Sequence, residues 1–164
     1  MNRRTTNLLT GLIVLGLAVA ALPQLGFAQS VPWLGTWQLN LAKSKYIPGP
    51  APKSQTVYIQ GEGQSRKLTA VGINPAGNVL GPAVWSEYVE DGKPHPVTGN
   101  PNFDSQTYTR VDANTINISR LKEGKTVGTA TLLVSPDGKT MTFNNSTTQA
   151  TGRQFNETQV YDKQ

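Results

Sequence analysis

The sequence contains no cysteine, and this absence removes several classes of protein at once. Without thiols the chain has no disulfide framework, no Cys-based metal site, no thiol nucleophile and no lipidated N-terminal cysteine. Histidine is almost as scarce, because His95 is the only one and it lies between Pro94 and Pro96. Catalytic triads and metal sites need a positioned imidazole and further partners, so His95 is interpreted as a loop residue. The sequence therefore predicts no catalytic residue, no metal site and no cofactor.

After the N-terminal segment, the sequence has little hydrophobicity with the period of a helix. Apolar and polar residues alternate there with a period of two. Alternation is typical of half-buried strands, and turn-forming residues recur about every 8–12 residues, as in sandwiches and barrels. Closing such a sheet removes the edges that aggregate. We therefore predict an all-β fold, a single antiparallel up-and-down barrel of about 8–10 strands. The predicted strands are 33–40, 54–60, 67–73, 83–90, 105–111, 116–121, 126–134, 140–145 and 155–162.

Two segments break this pattern. Three prolines at 48, 50 and 52 predict an extended strap that follows a possible helical turn at 41–45. Three more prolines within 93–101 predict an edge strand or a loop at the rim of the barrel.

The N-terminus has the three parts of a secretory signal peptide. Arg3 and Arg4 precede an apolar run from Leu8 to Ala21, and 26–28 supplies small residues for cleavage before Gln29. The apolar run is shorter than the roughly 20 residues of a membrane-spanning helix. We therefore expect a signal peptide at 1–28, a single barrel domain at 29–164 and export to the bacterial periplasm or medium, with no membrane span left after cleavage.

The charge pattern argues against nucleic-acid binding. The net charge is +5, but two of the 15 basic residues lie in the leader and the others are scattered. Nucleic-acid-binding domains usually collect basic residues in one patch or stripe. We therefore predict no nucleic-acid partner.

The sequence resembles two groups of proteins. Gly35-Thr36-Trp37 at the first strand, with the closing strand through Tyr161, resembles the calycin superfamily of lipocalins and fatty-acid-binding proteins. This resemblance implies a barrel in which Trp37 is structural and the first and last strands meet. Most of the chain after residue 28 also resembles uncharacterised exported bacterial proteins of lipocalin-like type. That second resemblance rests on segments 37–40, 43–45, 48–50, 97–101 and 137–139.

The last strand departs from the fatty-acid-binding proteins at one informative position. In that family an Arg-x-Tyr pair holds the ligand carboxylate, whereas here Gln159 precedes Tyr161. A glutamine can hydrogen-bond a hydroxyl or a carbonyl, but it does not neutralise a carboxylate. The helix pair that covers the barrel in that family has no counterpart in the sequence.

The candidate ligand-binding residues are polar and aromatic side chains of the predicted strands. They are Tyr161, Gln159, Arg110 and Tyr108 as polar anchors, with Trp85 and Tyr88 as apolar wall. Glu157 shares a strand face with Gln159 and Tyr161. If that face is inward, Glu157 requires a raised pKa or a cationic partner, for which Arg110 is the candidate. If it is outward, both charges only keep the sheet soluble.

Two non-enzymatic functions remain open from the sequence, and an enzyme that relies on carboxylate, lysine or tyrosine chemistry is the third alternative. In the first, the chain is a non-enzymatic barrel that binds a small, mostly apolar molecule, and its cavity should measure on the order of 300 Å³ or more. In the second, it is a protein-binding envelope module or inhibitor that acts through its rim loops. That alternative predicts exposed apolar residues near Tyr46, Ile47 and the segment 94–101.

Overall fold

The computed structural model describes residues 31–98, 100–149 and 151–164, without the side chains of residues 82–85. The predicted signal peptide at 1–28 lies outside the described residues. Eleven strands are described, and they run Gly35–Leu39 (β1), Lys45–Ile47 (β2), Ser54–Glu62 (β3), Ser65–Ile73 (β4), Val79–Val89 (β5), His95–Pro96 (β6), Ser105–Arg110 (β7), Thr115–Lys122 (β8), Lys125–Val134 (β9), Thr140–Thr148 (β10) and Gln154–Lys163 (β11). In the same part of the chain, the helical structure is a 3-10 turn at Leu41–Lys43.

All strand pairs are antiparallel, and they form one curled sheet in the order β5-β4-β3-β1-β11-β10-β9-β8-β7-β6. Most neighbours in the sheet are also neighbours in sequence, as expected of an up-and-down barrel joined by tight turns. The predicted all-β, calycin-like barrel is confirmed. No helix in the described part of the chain has the length and apolar character needed to cross a membrane.

The first and last strands meet, as the resemblance implied. Leu39 of β1 pairs with Tyr161 of β11, and the Trp37 side chain is fully buried. Gly35 has a φ of +132°, and a β-carbon at this position would lie 3.0 Å from the Lys163 side chain. The positive φ therefore favours glycine at the first position of the Gly-x-Trp motif, whereas the flexible Lys163 side chain could move away from a β-carbon.

One end of the barrel is packed around two tryptophans, and we call it the tryptophan end. Trp33 and Trp37 are both fully buried, and the Trp37 indole N–H donates to the Trp33 carbonyl at 2.8 Å. The guanidinium of Arg110 lies 4.7 Å from the centroid of the Trp33 ring. Glu90 is 3.2 Å from Arg66 Nε and 3.8 Å from Arg110 Nη1, so one nearly buried carboxylate is shared by two arginines.

The two ends of the sheet approach each other at β5 and β7, where backbone and side-chain contacts close the barrel. A backbone bridge joins Asp91, just after β5, to Thr109 of β7. Above it, the Tyr88 and Tyr108 rings stack with centroids 3.7 Å apart and planes 11° apart. The short β6 pairs with β7 on the side that faces β5. Pro96 of β6 has no N–H group, so it cannot donate a backbone hydrogen bond to β5. We call this region the β5–β7 seam.

The structure adds strand residues that the sequence pattern did not predict. Lys45–Ile47 forms β2 and pairs with the first half of β11, so the proline strap begins from a strand. β5 begins at Val79 rather than at residue 83, and β10 continues to Thr148 rather than ending at residue 145. The rim segment contains β6, which fits the predicted edge strand.

Candidate functional site

The barrel encloses a cavity of about 590 Å³. This exceeds the expected minimum and lies within the roughly 300–1,000 Å³ that is typical of small-molecule sites. Much of its wall is apolar and includes Val57, Leu68, Ile118, Leu132, Met141 and Phe143. Loop residues between β6 and β7 line the end of the cavity opposite the tryptophan end.

One group of polar side chains lies on the part of the cavity wall formed by β8, β10 and β11. We call this part the polar wall, and its residues are Arg120, Asn145, Thr147, Glu157, Gln159 and Tyr161. These positions alternate with outward-facing residues along each strand, which is why they share the interior. Neutral polar side chains line other parts of the cavity, among them Ser86, Gln106 and Tyr108. The polar wall differs from them because it carries the charged residues of the lining, Arg120 and Glu157.

Arg120 is the cation of the polar wall, and it is 7% exposed. Its Nη1 donates to Asn145 Oδ1 and, at 2.6 Å, to Thr147 Oγ1. The guanidinium carbon also lies 4.9 Å from the centroid of the Phe103 ring. Burial lowers the pKa of Arg120, while the charges of Tyr108 and Glu157 oppose that shift. Among the described residues, Arg120 Nε has no hydrogen-bond partner.

A glycine opens the path by which Arg120 reaches Thr147. Gly128 of β9 pairs with Arg120 on one side and with Thr147 on the other. A β-carbon at Gly128 would lie only 2.6 Å from Thr147 Oγ1. The missing side chain therefore lets the Arg120 guanidinium cross β9 to β10.

Glu157 is the carboxylate of the polar wall. The side-chain amide of Asn145 lies between Glu157 and Arg120 and hydrogen-bonds to both. Asn145 Nδ2 donates to Glu157 Oε2 at 3.3 Å, and Gln159 Nε2 donates to the same oxygen at 3.1 Å. Tyr46 of β2 pairs with Glu157 in register, and its buried hydroxyl has no hydrogen-bond partner in the described structure. Burial, with the charge of Glu157, raises the pKa of Tyr46 to about 12.

Tyr161 ends the polar wall on the side nearest β1. Its hydroxyl oxygen is 2.8 Å from Gln55 Oε1 and 2.7 Å from Gln159 Oε1. Burial raises the pKa of Tyr161, and the charges of Tyr46 and Glu157 add to this effect. The phenol therefore stays protonated and serves as a hydrogen-bond donor.

Tyr108 joins the cavity to the β5–β7 seam. Its hydroxyl lies 2.6 Å from Gln106 Oε1 and 2.7 Å from Ser86 Oγ. Because an amide oxygen only accepts, Tyr108 donates to Gln106, which leaves its oxygen to accept from Ser86. Burial raises the pKa of Tyr108 to about 12, although the Ser86 hydrogen bond and Arg120 oppose the shift.

Four of the six sequence-predicted residues lie on the cavity wall. These are Tyr161, Gln159, Tyr108 and Tyr88. The side chain of Trp85 lies outside the described residues. Whether any of them binds a ligand stays a prediction.

Arg110 differs from the expectation, because it lies at the tryptophan end with Trp33 and Glu90 instead of beside Glu157. Strand alternation correctly predicted that the Arg110 side chain faces inward, but it did not predict the height of Arg110 along the barrel axis. Following the strand pairs from β11 through β10 and β9 to β8, Glu157 lies at the same level as Asn145 and Ile118. Arg110 of β7 instead pairs with Ile116 of β8. Arg120, on the other side of Ile118, is the arginine of the polar wall.

Sequence reasoning missed Arg120, Asn145 and Thr147, although a signal for each was present. Arg120 continues the alternating face of Ile116 and Ile118, and all three are buried. Asn145 and Thr147 lie on the inward face of β10 with Met141 and Phe143. Arg120 and Asn145 fall within the predicted strands 116–121 and 140–145, so strand alternation alone would have identified them. Thr147 lies two residues beyond the predicted strand end, so it required a longer strand.

Other polar groups offer less chemistry. His95 is within 2.8 Å of Asp91 at the rim, and hydrogen bonds from Lys93 N–H and His95 lower the pKa of that aspartate. In residues 31–98, 100–149 and 151–164, no three acidic or histidine side chains group as metal ligands.

A shallower depression of about 370 Å³ on the outer face, near β2, is lined mainly by hydroxyl and amide side chains.

The exposed apolar residues lie only partly where the protein-binding alternative places them. Ile47 is 47% exposed, but Tyr46 points into the barrel. A second group, Ile73, Val79 and Leu80, is exposed at the turn between β4 and β5. A protein partner stays a prediction.

The fold and the cavity together define a calycin-like antiparallel barrel with a hollow interior. Its structure is similar to that of a zebrafish ileal bile acid-binding protein complexed with cholic acid, with a TM-score of 0.52 and 13% sequence identity. The match covers 81% of this chain and 99% of the zebrafish chain. No family model and no curated protein sequence matches the chain. At this identity the likeness establishes the fold alone.

Proposed function

We propose that this chain is an exported, non-enzymatic barrel that binds a small, mostly apolar molecule in its interior. The observation that carries the proposal is the 590 Å³ cavity with an apolar body and one polar wall. A barrel that only needed stability would gain by filling this space, since cavities in a core cost packing energy. The similar zebrafish structure holds cholic acid, which supports a small molecule as the ligand.

The apolar body would supply most of the binding energy. Each buried methylene contributes about 0.8 kcal/mol, so a ten-carbon segment contributes about 8 kcal/mol before the costs of association. Those costs amount to at least about 4 kcal/mol, which leaves about 4 kcal/mol, a millimolar or weaker affinity, unless a longer apolar segment or polar contacts add to it. Tyr161, Gln159 and Tyr108 are the proposed polar contacts from the sequence, and Arg120 takes the place proposed for Arg110.

Native mass spectrometry of the mature protein, followed by extraction, tests both export and occupancy. The proposal expects a chain that begins near Gln29 and carries a co-purified small molecule. A chain that keeps residues 1–28 when isolated from the envelope or medium would contradict the processing step.

A pair of neighbouring leucines provides a matched test of where binding occurs. Leu132 lies on the cavity wall and is 3% exposed, whereas Leu133 points outward and is 44% exposed. Leu132→Trp should fill part of the cavity and weaken binding of a neutral solvatochromic dye by about tenfold or more. Leu133→Trp adds the same side chain outside and should leave dye binding unchanged. Equal dye binding by both variants, with folding verified by circular dichroism, would refute the interior site.

A further inference from the structure

We propose that the ligand's polar end is a hydroxyl group rather than a carboxylate, and that Glu157 sets this preference. The inference rests on the proposed function and names the ligand class of the same cavity. It is carried by the pairing of charges on the polar wall, by the shared hydroxyl hydrogen near Tyr161, and by the contacts that already surround Arg120.

The two charges of the polar wall offset each other. Arg120 and Glu157 both hydrogen-bond to Asn145, which accepts from the guanidinium through Oδ1 and donates to the carboxylate through Nδ2. A ligand carboxylate drawn to Arg120 would therefore enter beside the Glu157 carboxylate. Like charges in a water-poor site repel strongly, whereas a neutral group leaves the existing pair intact.

Near Tyr161, one hydroxyl hydrogen is shared between two acceptors, so one acceptor at a time is left without it. The phenol has one hydrogen but lies within 2.8 Å of two amide oxygens, those of Gln55 and Gln159, so it serves one at a time. Glu157 adds a charged acceptor in the same group. A ligand hydroxyl can donate to an acceptor of the polar wall and accept from Arg120, while a carboxylate can only accept.

Arg120 has stabilising contacts besides the nearby Glu157 carboxylate. Its Nη1 donates twice to neutral oxygens, and its guanidinium lies 4.9 Å and 5.7 Å from the centroids of the Phe103 and Phe143 rings. Ring faces stabilise a guanidinium, so Arg120 depends less on a ligand carboxylate to balance its charge. The remaining Nε–H can still donate to a single hydroxyl oxygen.

The test compares two ligands that differ only at the polar end. Dodecanol and dodecanoate compete with a bound neutral dye, at neutral pH, for the purified and delipidated mature protein. We expect dodecanol to bind at least about tenfold more tightly than dodecanoate. Dodecanoate binding equal to or tighter than dodecanol would overturn the inference and leave the proposed function standing. If neither compound displaces the dye and the dye itself does not bind, the proposed function fails and the inference with it.

The Glu157→Gln variant identifies the residue responsible. It removes the negative charge and keeps the shape, so dodecanoate affinity should rise about tenfold while dodecanol affinity changes by less than about threefold. The control is Glu87→Gln, which removes the same charge from the outer face beside Lys67. An unchanged dodecanoate affinity in folded Glu157→Gln, or an equal gain in Glu87→Gln, would overturn the assignment. If Glu157→Gln does not fold, the comparison of the two ligands with the wild-type protein still decides the ligand class.

Discussion

Replacing Tyr108 by phenylalanine tests whether side chains close the β5–β7 seam. The Tyr108 hydroxyl donates to Gln106 at 2.6 Å and accepts from Ser86 of β5 at 2.7 Å, while its ring stacks on Tyr88. Phenylalanine keeps the stacked ring and deletes only the two hydrogen bonds. The change therefore separates the polar contacts, one to Ser86 of β5 and one to Gln106 within β7, from the aromatic contact with Tyr88.

The expected loss of stability follows from the burial of these groups. Tyr108 is 3% exposed, and Ser86 and Gln106 are also buried, so the deletion leaves a donor and an acceptor without their partner. An unsatisfied buried polar group costs about 1–3 kcal/mol. We expect Tyr108→Phe to lower the free energy of unfolding by about 1–3 kcal/mol, or Tm by several degrees.

Thermal and urea unfolding measure this loss, with Tyr58→Phe as the control. Tyr58 is 38% exposed on β3, so its hydroxyl should contribute less than about 0.5 kcal/mol. A double-mutant cycle with Ser86→Ala should show a coupling energy of about 0.5–1.5 kcal/mol, since both changes remove one shared hydrogen bond. A Tyr108→Phe protein as stable as the Tyr58→Phe control, or strictly additive effects in the cycle, would refute the reasoning about the seam.

The ionisable groups of the barrel give two further predictions. Burial raises the pKa of Tyr46 and Tyr108 to about 12, so their contribution to stability is complete below about pH 10 and is lost as the pH rises through 12. Phenolate absorbance and near-ultraviolet circular dichroism should therefore change together in alkali, and ionisation of these phenols at pH 10 with the fold intact would contradict this. At the other extreme, hydrogen bonds from Asn40 and Lys43 lower the pKa of Asp162, so its contribution is present above about pH 4 and is lost as the pH falls through the lowered value. Wild type should exceed Asp162→Asn in Tm at neutral pH, and this difference should disappear in acid; a difference that persists there would mean that the charge is not its cause.

The fold could be predicted from the sequence because strand alternation and turn residues are local signals. Nine strands were expected, and each overlaps a strand of the structure. The two additional strands are short, and neither has a repeating pattern of its own. β2 exists because Lys45–Ile47 lies beside β11, and β6 because His95–Pro96 lies beside β7. Tertiary pairing, which no local pattern records, decides such segments.

Arg110 and Arg120 show why the cavity could be predicted only in part. Both arginines point inward, and alternation alone gives no reason to assign them different roles. Their levels in the barrel differ, because the registers of β7, β8 and β9 place Arg110 opposite Ile116 and Arg120 opposite Gly128. The first arginine is stacked on Trp33 beside a carboxylate, where it supports the tryptophan end. The second extends over a glycine into the cavity and is held there by neutral oxygens. Register, and not residue type, therefore separates the arginine that stabilises the tryptophan end from the one that lines the cavity.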